Sequence, residues 1–450
     1  MKILFVLPRD ASDFGHKPVG LSILSAIAKR LGHETALLDT GFFKHEYSIT
    51  GYDKIFTGID MFKPVSYEGY NFPNIAEDSL ENITRDALYS FQPDIVAISL
   101  YFPFDRIAKE IIRTVKKFDP KTAVIVGGPQ VTADPAGAKE LGADYINVGE
   151  GLISWAKFLE DPKKSLEKLN PLLDRLDDLP PLDYSIYEPR HFLKSFDGKV
   201  YRGGDHMITW GCPNQCSYCI NHHYRDIYKS AGHSFHVRRY SLDVIIEELR
   251  YLKEIYALNF FKFCDENFLL MPDDVLDEFA FDYGNNVGLP FTTAVHPKTV
   301  TEHNIMLLKA AGCVSLSIGI ENGNREYRKV VLHRSDTVED ILNAFHLARK
   351  HGIRTMSFNM GATPFYTRGM YEETIELNRQ AQPDVATMSL YMPLPGTALA
   401  ETARKYGFLR EGWKESIGND YLNVPMLRFP DLSSEEIVEM RDDFNRRIQA

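Results

Sequence analysis

His206-Met207-Ile208-Thr209-Trp210-Gly211-Cys212-Pro213-Asn214-Gln215-Cys216-Ser217-Tyr218-Cys219 is the stretch that organises the chain. It opens as a short strand over 206–210 and runs into a loop with three cysteines spaced C-x3-C-x2-C. Downstream, apolar runs at 259–264, 291–295, 315–320, 355–360 and 386–391 read as further strands, with amphipathic stretches between them. The clearest of these is a helix over 242–255, with Leu242, Ile245, Leu249 and Leu252 on one face and Ser241 as its cap. Six strand–helix units predict an open (βα)6 barrel over 205–400. The cysteine loop then follows its first strand, where barrels place their chemistry.

Working outward, residues 1–165 repeat the rhythm with shorter elements. Strands are expected at 2–7, 94–100, 122–127 and 145–148, and helices at 20–31, 106–117 and 137–141. Strands alternating with helices imply a doubly wound, Rossmann-like parallel sheet. Residues 41–90 are less regular and rich in Tyr, Phe and Asp, and read as an insertion covering a ligand face. Residues 166–204 read as a linker. Its 173–183 stretch is acidic with Pro180-Pro181, which predicts an extended, exposed segment. Residues 401–450 are polar, and Ser433 and Ser434 before Glu435-Glu436 mark a helix start. The fold class is therefore α/β: a doubly wound domain, a partial TIM-type barrel and a small helical C-terminal segment.

Composition narrows the function. A chain of 450 residues that is 44% hydrophobic can build more than one core. Basic residues number 51 and acidic ones 62, a net charge of −11, the wrong sign for a nucleic-acid partner. The apolar run after Met1 stops at Pro8, too short for a signal peptide, and no run of about 18 apolar residues predicts a membrane span. A cytoplasmic protein is expected. Five cysteines are too few for a disulfide scaffold, and three bunched within eight residues point to metal.

Three thiolates on one tight loop can hold three irons of a [4Fe–4S] cluster, whose usual complement is four cysteines. The missing fourth leaves one iron open to a small molecule. The competing reading is a Cys3His zinc site completed by His222 or His223. Cys264 and Cys313 read as buried packing. The same applies to His296, although it stands at a strand end.

The cysteine spacing resembles the signature of the radical S-adenosylmethionine superfamily. That resemblance implies that Cys212, Cys216 and Cys219 ligate the cluster and that the open iron chelates S-adenosylmethionine. One-electron cleavage then yields a 5′-deoxyadenosyl radical. Tyr218 falls where the family places an aromatic near the adenine; alternatively it packs under the loop. Asp265 and Glu266 resemble the acidic turn that faces the cosubstrate's ammonium, against a solvated-turn reading. Ser317-Ile318-Gly319-Ile320-Glu321-Asn322-Gly323 is similar to the family's Gly-Ile-Glu-Ser-Gly segment, which implies cosubstrate contacts from Ser317 and Glu321. Pro393-Leu394-Pro395-Gly396-Thr397 resembles the segment ending strand six, and Arg238 and Arg239 match a basic position that otherwise reads as solvated. Residues 361–368 depart from the family's Gly-Leu-Pro-Gly-Glu-Thr turn.

The N-terminal loops resemble those of cobalamin-binding domains fused to such barrels. Implied cofactor contacts are Pro8 after the first strand, Ser99 and Leu100, then Gly127, Gly128 and Gln130, and finally Gly149 and Glu150. These lie at strand carboxyl ends, where open parallel sheets bind ligands. Asp13-Phe14-Gly15-His16-Lys17-Pro18-Val19-Gly20 is one residue longer in each gap than the cobalt-ligating Asp-x-His-x-x-Gly, so no ligand role passes to His16. A domain that keeps this fold with the corrin lost or replaced is the other reading. The resemblance implies a cobalamin-dependent radical methyltransferase that carries methyl from methylcobalamin to an unactivated carbon. It would act on a small-molecule or peptide substrate and draw electrons from a donor such as flavodoxin or ferredoxin. The alternatives are a radical dehydratase, cyclase or rearrangement enzyme without methyl transfer, and a non-catalytic corrin or metal sensor.

Overall fold

The computed structural model describes residues 1–10, 15–48, 63, 65, 77–161, 169–410, 413 and 423–449. The start of the Asp13–Gly20 motif and most of the central part of the 41–90 insertion lie outside them. The chain divides into two compact units, Met1–Tyr201 with Tyr224–Phe235, and Arg202–His223 with His236–Ala450.

The first unit is built on five parallel strands: β1 (Lys2–Leu7), β2 (Glu34–Asp39), β3 (Ile95–Ser99), β4 (Ala123–Gly127) and β5 (Tyr145–Ile146). Their order is β2-β1-β3-β4-β5. The order reverses between β1 and β3, which is where such sheets bind ligands. The runs Ile3–Leu7 and Ile95–Ile98 are apolar throughout because helices cover both faces. β2 is absent from the sequence reading. Its burial fades toward the edge, so Glu34-Thr35-Ala36 carries no apolar run. The helix Leu80–Phe91, inside the supposed irregular insertion, is fixed by Leu80, Ile83 and Leu88 on one face and Ser79 as N-cap.

The 173–183 segment is not an exposed linker. Leu172, Leu176, Leu182 and Tyr184 are buried, and Asp183 accepts a hydrogen bond from Ser25 Oγ at 2.6 Å. The prolines make the segment extended, while leucines spaced along it pin it down. Tyr184, Tyr187, His191 and Phe192, just beyond it, are buried as well. Lys17 is fully buried, donates to His191 O at 2.8 Å and lies over the Tyr184 and Phe192 rings.

The chain then passes through β6 (Leu193–Phe196) into β7 (Lys199–His206), across a turn at Asp197 and Gly198. β7 is the first strand of the half-barrel, so the strand expected at 206–210 is displaced. At His206 the backbone leaves the sheet, because Asp265 accepts from Ile208 N (3.2 Å) and Thr209 N (2.6 Å). The short β8 (Thr209–Trp210) pairs antiparallel with β9 (Arg238–Arg239) instead. The remaining barrel strands are β10 (Phe260–Phe263), β11 (Phe291–Val295), β12 (Cys313–Glu321), β13 (Arg354–Gly361) and β14 (Val385–Leu390). They run parallel to β7 in the order β14-β13-β12-β11-β10-β7, with β6 at the far edge. Helices such as Leu242–Ile255 and Val338–Lys350 fill the crossovers.

The last helix, Ser434–Gln449, starts at a capping box in which Ser433 and Glu436 exchange hydrogen bonds (3.1 and 2.8 Å). It covers the β14 flank. Ile437, Met440 and Phe444 pack with Tyr371, Ile375, Ala386 and Met388, and Asn445 Oδ1 accepts the β14 N–H of Ala386 at 3.1 Å. The edge strand is thereby shielded. Phe444 is 1% exposed, so Phe444→Ala is expected to cost about 3–5 kcal/mol. The readout is a lower urea midpoint, with helix 434–449 losing amide-exchange protection first.

Candidate functional site

In the second unit, the cysteine loop is held at three points. Its entry is fixed by Asp265, which accepts from Thr209 Oγ1 at 2.6 Å in addition to the two backbone bonds. Its middle is fixed by Ser217. The Ser217 N–H donates to Leu332 O (3.0 Å), its hydroxyl donates to Val331 O (2.6 Å), and its carbonyl accepts from Leu399 N (2.9 Å). Its end is fixed by Tyr218, whose hydroxyl accepts from Arg334 at 3.0 Å.

Arg334 is the hub. The same guanidinium reaches Glu321 Oε1 (3.3 Å), Gly319 O (2.8 Å) and Asp336 Oδ1 (2.8 Å). Asp336 in turn faces Arg328 (3.7 Å) and His296 Nε2 (3.4 Å). All of these side chains are largely or fully buried. Burial pushes the Glu321 carboxyl up, while Arg334 and Tyr218 pull the other way. Glu321 also takes a left-handed backbone (φ 66°) after the bulge in β12, which turns it back over the strand. Sequence reading missed Arg334, Asp336 and Ser217. His333-Arg334-Ser335-Asp336 reads as an ordinary charged loop, and only burial distinguishes it.

The acidic turn divides its labour. Asp265 is 3% exposed and both its oxygens accept from residues 208 and 209, so its carboxylate braces the loop entry. Its neighbour Glu266 has a buried Oε2 without a hydrogen-bond partner. Burial raises the Glu266 carboxyl to about 7, against bonds to the Gly211 backbone and Asn221. An unsatisfied buried carboxylate oxygen beside the cysteine loop suits a cationic group. Two of the thiols are desolvated as well. Burial pushes Cys219 up to about 12 and raises Cys216. Thiols so placed ionise when a cationic metal centre takes the charge, which fits a cluster ligated by Cys212, Cys216 and Cys219.

The remaining matched residues fall around this centre. Ser317 is half-buried on the same face of β12 as Gly319, in register with Ala294 and Met356, and stands outside the Arg334 network. Thr397 caps helix Ala398–Lys405, which supplies the Leu399 N–H that holds Ser217. A Cβ on Gly396 would fall 2.1 Å from His223 Nε2, so that ring packs against the Pro-Leu-Pro-Gly-Thr segment. Arg238 is buried with its guanidinium 5.8 Å from the Trp210 ring, whereas Arg239 is exposed. Cys313 is buried and Cys264 half-buried. The departed loop at 361–368 is pinned by Tyr327, whose hydroxyl bonds Thr363 Oγ1 (2.7 Å) and Pro364 O (2.6 Å).

In the first unit, the implied cofactor residues gather along one rim. Leu100 N donates to Gly127 O (2.8 Å) and Gln130 N to Leu100 O (3.3 Å). Gly128 has φ 105°, and a Cβ there would lie 2.8 Å from both Leu100 N and Leu100 O; its lack of a side chain serves this backbone contact. Gly149 N donates to Thr132 Oγ1 at 2.9 Å. Gln130 leaves its Oε1 buried and unpartnered, and Ser99 is half-buried beside it in sequence with Leu100. A glycine-lined rim at the switch point with an unsatisfied amide oxygen fits a large polar cofactor. Pro8 is buried, and the next residue, Arg9, turns away to a closed cluster. Arg9 donates from Nε to Asp39 (2.9 and 3.1 Å), and His191 Nε2 lies 2.9 Å from the same carboxylate. Against the desolvation of burial, Arg9 and His191 hold the Asp39 carboxyl well below the usual range.

Comparison with known proteins agrees with both units. The radical SAM superfamily model matches residues 207–377, and the B12 binding domain model matches residues 10–154. An uncharacterized methyltransferase of Pyrococcus horikoshii is 24% identical over 387 residues, 81% of each chain. The cytidylyl-2-hydroxyethylphosphonate methyltransferase of Streptomyces wedmorensis is 23% identical, across 100% of this chain and 90% of that one. In fold, the chain is similar to the radical S-adenosylmethionine methyltransferase TsrM of Kitasatospora setae, solved with cobalamin and a [4Fe-4S] cluster bound. The TM-score is 0.64 at 18% identity, covering 91% of this chain and 76% of that one. Among the described residues, no helix is long and apolar enough to cross a membrane.

His296 gives the site a pH signature. Burial, with Arg334 nearby, lowers its pKa from 6.5 to about 4. The unfolded chain therefore binds a proton below about 6.5 that the folded chain refuses until about 4. Stability from this group is complete above 6.5 and is lost as pH falls through that window. His296→Gln is expected to remove a pH-dependent loss on the order of 2–3 kcal/mol. The check is the difference in urea midpoint between pH 7 and pH 4.5 for variant and parent.

Proposed function

The chain belongs to the radical S-adenosylmethionine superfamily and carries an N-terminal B12-binding domain, and from that premise we propose that it is a cobalamin-dependent radical methyltransferase acting on an unactivated carbon. The observation that carries the reading is a loop with three cysteines, two of them pushed away from ionisation by burial, braced beside Glu266 and Glu321. Bound there, the cluster supplies an electron that cleaves S-adenosylmethionine, and cobalamin on the other domain supplies a methyl carrier.

The chain's own residues position and shield. Cys212, Cys216 and Cys219 hold three irons. Glu266 offers its free oxygen to the cosubstrate's ammonium. Tyr218, Arg334 and Glu321 form one buried unit that fixes the wall on which the cosubstrate lies, and Asp265 fixes where the loop leaves the sheet. The rim of Leu100, Gly127, Gly128, Gln130, Gly149 and Glu150 receives the cobalamin. The substrate is a small molecule or peptide, and a small electron carrier of the flavodoxin or ferredoxin type reduces the cluster.

Two variants separate the acidic neighbours. Glu266→Gln is expected to keep its iron while binding S-adenosylmethionine roughly tenfold more weakly. Asp265→Asn is expected to lose iron, because the amide keeps one acceptor oxygen where the carboxylate offers two, and its NH2 faces a donor at residue 208 or 209. Iron analysis and equilibrium dialysis read the two effects.

The function is tested on anaerobically prepared protein with titanium(III) citrate, cobalamin and S-adenosylmethionine. Formation of 5′-deoxyadenosine together with cobalamin-dependent S-adenosylhomocysteine is expected. 5′-Deoxyadenosine without S-adenosylhomocysteine would assign a radical enzyme that transfers no methyl. Neither product from a cluster-loaded protein would mean a non-catalytic role.

A further inference from the structure

The helix Ile220–Ser230 begins at the residue after Cys219, yet its second half, from Tyr224, belongs to the first unit. Tyr224 and Tyr228 are four residues apart and so share a helix face. The Tyr224 hydroxyl donates to Pro129 O at 2.7 Å, in the turn between Gly128 and Gln130. The Tyr228 hydroxyl accepts the Glu150 N–H at 2.8 Å, next to Gly149. Tyr228 is 2% exposed, and its carbonyl accepts from His233 N at 2.8 Å, which closes the helix end beneath it.

These two bonds extend a chain of hydrogen bonds that runs along the rim. Leu100 is tied to Gly127 and Gln130, and Thr132 ties the following turn to Gly149. Asn147 Nδ2 donates to Gly149 O at 3.3 Å, and Ser154 Oγ bonds Asn147 Oδ1 at 2.5 Å. Nothing in this inner set reaches Pro129 O or the Glu150 N–H; the tyrosines do. The loops are short, glycine-containing and at strand ends, where backbone is otherwise free to move.

Resting on the cobalamin reading above, we propose that Tyr224 and Tyr228 are positioning residues for cobalamin: they lock the β4 and β5 loops in the conformation that receives it. Neither need touch the cofactor. Phenylalanine at 228 keeps the ring packing and leaves the Glu150 N–H without its acceptor, so the loop gains freedom that binding must remove.

The test uses the full chain. Hydrogen exchange on cobalamin-free protein is expected to rise about tenfold or more in the peptide covering 147–151 for Tyr228→Phe, with β1 amides unchanged. Titration with hydroxocobalamin, followed by its visible absorption, is expected to give about tenfold weaker binding with unchanged iron content. If β1 protection also falls, the variant has lost its fold and Tyr224→Phe takes its place, with the rise expected over 127–131. Faster loop exchange with unaltered cobalamin affinity overturns the proposal, as does unaltered exchange. A parent protein that takes up no hydroxocobalamin defeats the cobalamin reading itself, a separate result.

Discussion

One guanidinium sets the geometry of the barrel mouth. Arg334 is buried between Asp336, Glu321, Gly319 O and Tyr218, and it is the point at which β12, the cysteine loop and the 331–336 turn are joined. A buried arginine is tolerable only when its donors are satisfied and its charge is balanced. Two carboxylates and a phenol do both. The cost of dehydrating four charged or polar groups is offset only in one arrangement, so the network fixes that arrangement. The cysteine loop has few apolar anchors of its own and inherits its position from Arg334, Ser217 and Asp265.

The same logic divides side chains that sequence makes look alike. Asp265 and Glu266 are adjacent acids at one strand end. Asp265 spends both oxygens on the backbone at 208–209 and bends the chain out of the sheet; Glu266 keeps one buried oxygen unpaired. In the first unit, Arg9 and His191 both spend hydrogen bonds on the Asp39 carboxylate, whereas Gln130 keeps a buried amide oxygen without a partner. Sites are found where hydrogen-bonding capacity is left over.

Much of the fold was legible because strands such as β1 and β3 are buried on both sides and read as apolar runs, while barrel strands such as β11 alternate buried and half-buried positions. Phe291–Val295, Lys2–Leu7 and the helix Leu242–Ile255 fall where periodicity puts them. What escaped had a physical reason each time. β2 is an edge strand with exposed positions. The first barrel strand ends at His206 because Asp265, far along the chain, pulls the next residues away. The 173–183 segment carries the composition of a linker, but its leucines are buried by surfaces that no local pattern reveals. In the site, the cysteines announce themselves by spacing. Arg334 and Ser217 do not, since the bonds that tie them together, Arg334 to Tyr218 and Ser217 to Val331, span over a hundred residues of sequence.

The central claim is that three thiols hold an iron–sulfur cube with one iron open to S-adenosylmethionine. Electron paramagnetic resonance of the reduced, anaerobically reconstituted protein tests it most directly. The account predicts a full [4Fe–4S] complement per chain, with a spectrum that shifts when S-adenosylmethionine is added. Zinc on the thiols, or a cluster spectrum indifferent to S-adenosylmethionine, would contradict it.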